Sequence, residues 1–353
     1  MIRLAALAAS VLFFTPLMTA QPFSATQTIR DGVTVVRLED AGAEAHVSIA
    51  PSVGNIAYEY VIHGKNAFWW PFHSLEEFAK APKLSGNPLL WPWANRLDRD
   101  GFFANGRYYA LQPELGNVRR DGNKLPIHGL LTFSNLWKVV ELGSDERSAW
   151  VVSRIEYARH PALAAQFPFA HTIEMVYRLR GGELEVETRI ANESAEAMPL
   201  SLGYHPYFQL HDAPRDDWRV HLAARSRWEL NDKLTPTGKK SPVADRFAQA
   251  DDLALAGVTL DDVFGDLIRE AGDWARFSVT GTREKLEVLY GPGFETAVVY
   301  APGGAGRSFI CFEPMTGVTN AFNLAHEGKY NELQTIPEGA TWTGRYIVRP
   351  SGF

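Results

Sequence analysis

Short apolar and aromatic runs, alternating with polar positions and separated by turn residues, dominate the chain. Thr172 to Leu179 and Glu183 to Ile190 flank Arg180-Gly181-Gly182, and Leu184, Val186, Thr188 and Ile190 recur with period two. That is the pattern of a hairpin with one buried face. Phe102-Phe103-Ala104 and Arg107-Tyr108-Tyr109 flank Asn105-Gly106, a pair that favours a type I′ turn because both residues accept positive φ. Arg276 to Thr280 and Lys285 to Tyr290 flank Gly281-Thr282-Arg283 in the same way. The best helix candidate is Ser74 to Ala81, capped by Ser74 with Glu77 three residues on and stopped by Pro82. The predicted fold class is mainly all-β, an antiparallel sandwich or barrel with few short helices. Asn231 to Asp252, containing Pro236, Gly238, Lys239, Lys240 and Pro242, is predicted to be a loop. No linker or fixed-period repeat divides the chain, so residues 21–353 are expected to form one domain.

Composition narrows the class. The 353 residues are 46% hydrophobic and 22% charged, as in a globular protein. The formal net charge is -6, with no run of five or more Lys/Arg, so nucleic acid is not an expected partner. Arg3, the apolar run from Leu4 to Met18 and the small residues ending at Ala20 follow the order of a secretory signal. The run is shorter than the ~20 apolar residues that span a bilayer, and Pro16 interrupts it, so no membrane span is expected. Residues 1–20 are therefore expected to be a signal peptide, leaving an acidic periplasmic or extracellular protein. Cys311 is the single cysteine, so no intrachain disulfide can form and the core alone must hold the fold. In Phe309-Ile310-Cys311-Phe312 it reads as a buried strand residue.

Several chemistries lack their motifs. There is no Gly-x-Ser-x-Gly elbow and no strand-linked Gly-x-Gly-x-x-Gly, and Gly303 to Ser308 reads as a turn rather than a phosphate loop. The ten histidines show neither two on one helix turn nor a cluster with the cysteine, so no metal is expected. No redox or nucleotide cofactor is expected either.

Four segments set polar groups among apolar or aromatic neighbours. They are Asn87 to Arg96, Leu125 to Leu130, Gly203-Tyr204-His205-Pro206-Tyr207-Phe208, and Phe312-Glu313-Pro314-Met315 with Asn320-Ala321-Phe322-Asn323 after it. An imidazole beside stacking aromatics and a carboxylate wedged between an apolar strand and a proline make a plausible acid and base for a neutral polar substrate. A histidine near ~6.5 exchanges protons at neutral pH, whereas a glutamate near ~4.3 must be raised by burial to act as a base. Taken alone, each has a plainer reading: a packed histidine, a strand-end carboxylate, a surface ion pair for Arg96, a turn residue for His128, and an Asp-rich turn at Asp261. Trp69, Trp70, Trp91 and Trp93 read as packing, with one or two at most on a substrate.

Together, Pro92 to Arg96, Pro126 to Gly129, His205 to Phe208, Glu313-Pro314 through Asn323, and Leu333 to Gly339 resemble the motifs of the aldose 1-epimerase (galactose mutarotase) family, in order and spacing. The resemblance implies a large antiparallel β-sandwich that interconverts the α and β anomers of a free aldose without metal or nucleotide. Carried over to this chain, Glu313 is the base that takes the anomeric hydroxyl proton, and His205 is the acid that protonates the ring oxygen. Asn95, Arg96 and His128 become substrate-binding residues. The family's D-x-x-F setting selects Asp261 as a further sugar ligand, with Asp262 one residue away as the alternative. The implied partner is a small free sugar, bound by a monomer or homodimer. Competing readings are a hexose-6-phosphate 1-epimerase using Arg119 and Arg120, a non-catalytic carbohydrate-binding protein on the same fold, and a glycoside hydrolase pairing Glu313 with Asp261.

Overall fold

A computed structural model describes residues 22–304 and 306–353, so the predicted leader at residues 1–20 lies outside the described residues. Three antiparallel sheets make up most of the molecule. The first has five strands in chain order from Phe23–Arg30 to Lys65–Asn66. The second has ten strands, with Thr341–Ser351 between Glu183–Asn192 and Lys285–Tyr290. The third has eight and includes Ala224–Leu230, Leu260–Leu267, Thr296–Ala301 and Ile310–Met315 as successive neighbours. The larger two pack face to face as a β-sandwich: Phe312 of the eight-stranded sheet lies 6.2 Å from Phe277 of the ten-stranded one, and Tyr204 lies 5.0 Å from Tyr346, ring centroid to ring centroid.

The predicted hairpins occur. Gly101–Ala104 pairs with Arg107–Ala110, and Asn105 and Gly106 have φ of 50° and 73°, as a type I′ turn requires. His171–Arg180 pairs with Glu183–Asn192 around Gly181-Gly182, so Arg180 ends a strand rather than sitting in the turn. Trp274–Thr280 pairs with Lys285–Tyr290 across residues 281–284, whose N–H groups at Thr282, Arg283 and Glu284 converge on the Asp212 carboxylate. The helix spans Leu75–Lys80; Ser74 Oγ accepts the Glu77 N–H at 3.1 Å, and the Glu77 carboxylate accepts the His73 N–H at 3.0 Å.

One expectation is corrected. Pro236–Pro242, predicted to lie in a loop, is the edge strand of the eight-stranded sheet and pairs with Ala224–Leu230. An edge strand ladders on one side only, so prolines at its two ends and Gly238 at φ 94° are tolerated beside a register shift.

Strand alternation positions the site. Along Ile310–Met315, Ile310 and Phe312 enter the core between the sheets, while Cys311 and Met315 belong to packing clusters on the opposite side, the face that Glu313 shares. Along Leu260–Leu267, Leu260 and Phe264 are core residues and Val263 packs on the other face, which Asp261 shares. The open face of the eight-stranded sheet thus carries both carboxylates.

Candidate active site

Asn95, Arg96, His128, His205, Asp261 and Glu313 line one cavity of about 210 Å³, joined by Leu84, Ile127, Tyr207 and Tyr300. The six candidates named from the sequence are therefore neighbours in space, although more than two hundred positions separate Asn95 from Glu313 in the chain. Glu313 comes from the strand Ile310–Met315, and Asp261 and Tyr300 are direct cross-strand partners. His205 stands between the short strands Gly203–Tyr204 and Tyr207–Phe208, its N–H given to the Pro88 carbonyl at 3.0 Å. Its ring stacks on Tyr207 at 4.7 Å with the planes 4° apart.

Asn95 and His128 are both held in the left-handed region, at φ 55° and 64°, and the His128 N–H bonds the Asn95 carbonyl at 2.8 Å. Such conformations cost on the order of 1 kcal/mol or more in non-glycine residues and persist only where the surroundings impose them. Gly129 shows how tightly His128 is placed: a Cβ there would lie 2.2 Å from the Trp91 carbonyl oxygen, and its own φ is 64°. The Asn320 to Asn323 stretch acts as a brace. The Asn320 side-chain oxygen accepts the Asp98 N–H at 3.2 Å, and Asn323 Nδ2 donates to Asp98 Oδ1 at 2.8 Å, fixing the segment just after Arg96.

His205 Nε2 lies 3.3 Å from Glu313 Oε1, and their side chains are 7% and 1% exposed. Burial pushes the His205 imidazole down to about 3, with Arg119 and Arg96 acting in the same direction. Burial, then the negative Asp261, holds the Glu313 carboxyl well above the usual carboxylate range. Both shifts favour uncharged forms, a protonated Glu313 carboxyl beside a neutral His205 imidazole across the 3.3 Å contact. His128, whose ring is 5.3 Å from that of His205, is also kept neutral by burial and by the nearby His205, Arg119 and Arg96. Glu313 Oε2, His205 Nδ1 and His128 Nδ1 are buried and have no hydrogen-bond partner among the described residues. A buried polar atom left without a partner costs about 1–3 kcal/mol, which a polar group in the cavity can offset.

Two placements were not legible in the sequence. Asp121, from the stretch before His128, accepts Arg96 Nε at 2.7 Å, in a pair whose side chains are 8% and 14% exposed. Arg96 Nη1 donates to Asn95 Oδ1 at 2.9 Å, so the guanidinium is oriented from two sides. Tyr300 forms a wall of the cavity; no motif marks it in the sequence, and its pairing with Asp261 is what places it there. The tryptophans do not line the cavity: Trp91 and Trp93 are fully buried, and Trp69 packs 4.5 Å from Phe309. Asp262 lies on the core side and pairs with Arg246 at 2.8 Å and Arg227 at 3.5 Å. Among the described residues no group of three or more His, Cys, Asp or Glu side chains could hold a metal ion, and no helix is long and apolar enough to cross a membrane.

The two-layer antiparallel fold with its site on one open sheet face is of the galactose mutarotase-like class. A galactose mutarotase-like protein from Clostridium acetobutylicum superimposes with a TM-score of 0.83 at 20% identity, covering 95% of this chain and 100% of that one. A galactose 1-epimerase from Lactobacillus acidophilus NCFM gives 0.74 at 15% identity, over 95% of this chain and 100% of its own. At such identities the likeness is one of fold. In sequence, the uncharacterized protein YphB of Escherichia coli K12 is 30% identical over 141 residues, which is 40% of this chain; the chain spans only 41% of that relative. Residues 35–349 match the aldose 1-epimerase family, and this protein belongs to it.

Proposed function

We propose that this protein is an aldose 1-epimerase that interconverts the α and β anomers of a free aldose. The observation that carries the reading is the buried contact between His205 and Glu313, 3.3 Å apart, at a cavity about the size of one sugar ring. The raised Glu313 carboxyl carries a proton that the lowered His205 does not, and moving it from Glu313 to His205 creates a carboxylate base and an imidazolium acid without exchange with solvent. Glu313 then accepts the anomeric hydroxyl proton while His205 protonates the ring oxygen. The C1–O5 bond breaks, the C1 oxygen becomes a carbonyl, and rotation about C1–C2 presents the other carbonyl face. The reverse transfers close the ring and restore both side chains.

Arg96 and His128 donate hydrogen bonds to the sugar, and Arg96 stabilises negative charge as it develops on oxygen. Asn95 and Asp261 bind hydroxyl groups. A positioned acid and base supply roughly 10²- to 10⁴-fold each, enough for a reaction that also proceeds unaided in water. The cavity lacks the arginine cluster a hexose 6-phosphate would need: Arg96 is the one described arginine lining it, Arg120 pairs with Asp100 at 2.6 Å, and Arg119, though near enough to act on His205 and His128, lies over the Phe133 ring at 4.7 Å. The leader pattern of residues 1–20 supports export, and mass determination of the mature protein from a native host tests it.

Polarimetry tests the activity. Freshly dissolved α-D-glucose, α-D-galactose and α-D-xylose should each be followed with the protein, and the spontaneous rate subtracted. Acceleration of at least one supports the reading, and no acceleration of any overturns it for free aldoses.

A further inference from the structure

Arg119 differs from the other arginines in its surroundings. Every other described arginine that is not exposed carries an ion pair, from Arg37 with Glu39 to Arg349 with Glu183. Arg119, half-buried, makes no ion pair or side-chain hydrogen bond among the described residues, and its Nη1 is buried without a partner. Its guanidinium carbon lies 4.7 Å from the centre of the Phe133 ring. The ring face attracts the charge but leaves the guanidinium N–H groups without an oxygen to bond. Burial pushes the group down from its ordinary value, as it does for a cation that lacks a counter-ion.

Arg119 lines a recess of about 580 Å³, within the roughly 300–1,000 Å³ of pockets that take small organic ligands. The recess is formed on the segment that follows His128: Leu130 and residues 132–136 line it, and Thr132 Oγ1 ties that segment to the His128 carbonyl at 2.7 Å. The whole chain has a formal net charge of -6, yet among the described residues no aspartate or glutamate lines this recess, whereas the sugar cavity contains Asp261 and Glu313. The side chains of Asn135 and His160 add N–H groups that have no hydrogen-bond partner among the described residues. Phe133, Leu136 and Leu163 give the same space an apolar wall.

We propose that this recess is a binding site for a small organic carboxylate, whose charged end meets Arg119 and whose apolar body lies on Phe133, Leu136 and Leu163. A guanidinium presents a planar fork of donors that matches the two carboxylate oxygens. An inorganic anion satisfies the charge and leaves the apolar wall uncovered, while a neutral apolar molecule covers the wall and leaves Arg119 unpaired. The site is separate from the acid and base, and it does not depend on the mutarotase reading.

Isothermal titration calorimetry tests it, with benzoate, phenylacetate and 3-phenylpropionate as probes, and with 2-phenylethanol and inorganic phosphate as the neutral and the purely ionic comparison. Wild type, Arg119→Gln and Asn135→Asp are compared. At least one carboxylate should bind wild type with a Kd about tenfold or more below those of 2-phenylethanol and phosphate. Arg119→Gln should weaken that binding about tenfold or more, through loss of the charged fork. Asn135 is exposed, so Asn135→Asp brings a like charge to the recess without repacking and should weaken binding about threefold, less so at high salt. No saturable binding of any carboxylate, equal affinity for 2-phenylethanol or phosphate, or full affinity in both variants would each overturn the site. Displacement of the carboxylate by D-galactose would place it in the sugar cavity instead and overturn the assignment to the recess.

Discussion

His205 Nε2 and Glu313 Oε1 face each other at 3.3 Å, and burial favours the uncharged form of each. The strand Ile310–Met315 supplies one partner and the turn between Gly203–Tyr204 and Tyr207–Phe208 the other, and Tyr207 pairs with Cys311 to hold the two elements together. The proposed acid and base are thus held in place before a substrate binds.

Glu313→Gln and His205→Asn should each lower kcat by about 10²- to 10⁴-fold, because each removes one proton-transfer partner. Polarimetry checks the rate, and an unchanged thermal midpoint checks the fold. Near-normal turnover by either variant sinks the assigned roles.

The pH profile should be displaced from that of ordinary side chains. His205 is pushed down to about 3, so as pH falls the pair gains a second proton only in strong acid, and activity should persist well below the ~6.5 of a free histidine. As pH rises, the pair loses its one proton when Glu313 ionises, above the usual carboxylate range. An acid limb of kcat/KM centred near ~6.5 would contradict the lowered His205.

Asp261 and Asp262 should respond differently. Asp261→Asn should raise KM by about tenfold, with little change in unfolding free energy, because its side chain faces the cavity. Asp262→Asn leaves Arg227 and Arg246 without their shared carboxylate and should cost about 2 kcal/mol of stability while monosaccharide KM holds. Denaturant titrations beside kinetics separate the two, and the opposite assignment would show that Asp262 is the sugar ligand.

Asp121→Asn tests a residue that acts through another. Asp121 Oδ1 accepts the Asn123 and Leu125 N–H groups at 2.9 Å each, which asparagine can still do, while the carboxylate oxygen that accepts from Arg96 Nε is replaced by an amide nitrogen. Efficiency should fall about tenfold, mainly through KM, and Asp121→Glu should recover part of it if orientation of Arg96 is the cause. Equal losses in both variants accompanied by a lower melting temperature would mark Asp121 as structural only.

Acid stability should depend on His171, a buried residue outside the site. Its Nε2 accepts Trp91 Nε1–H at 3.0 Å and its Nδ1–H donates to the Phe169 carbonyl at 2.6 Å, a neutral tautomer that burial holds down to about 4. The unfolded chain binds a proton near ~6.5, so stability from this group is intact above that pH and falls by about 3 kcal/mol as pH drops towards 4. Urea midpoints for wild type and His171→Gln across pH 7 to 4 check this, with a flatter dependence expected in the variant.

Much of the architecture was legible because it is local. Period-two alternation, Asn105-Gly106, Gly181-Gly182 and the Ser74 cap act over a few residues, so hairpins and helix could be placed from the chain alone. Pro236–Pro242 was not, because an edge strand obeys looser rules that only its partner, Ala224–Leu230, makes visible.

For the site, the sequence by itself determined which residue types could do acid and base work: His205, Glu313, and Arg96, His128 and Asn95 with an aspartate to bind. Tertiary structure alone decided their relations. It turned Asp261 to the cavity and Asp262 to the arginines, placed Asp121 behind Arg96, brought Tyr300 beside Asp261, and set His205 against Glu313. The reason is physical: side-chain identity is written residue by residue, whereas burial, strand face and the low dielectric that shifts a proton arise only when distant segments pack.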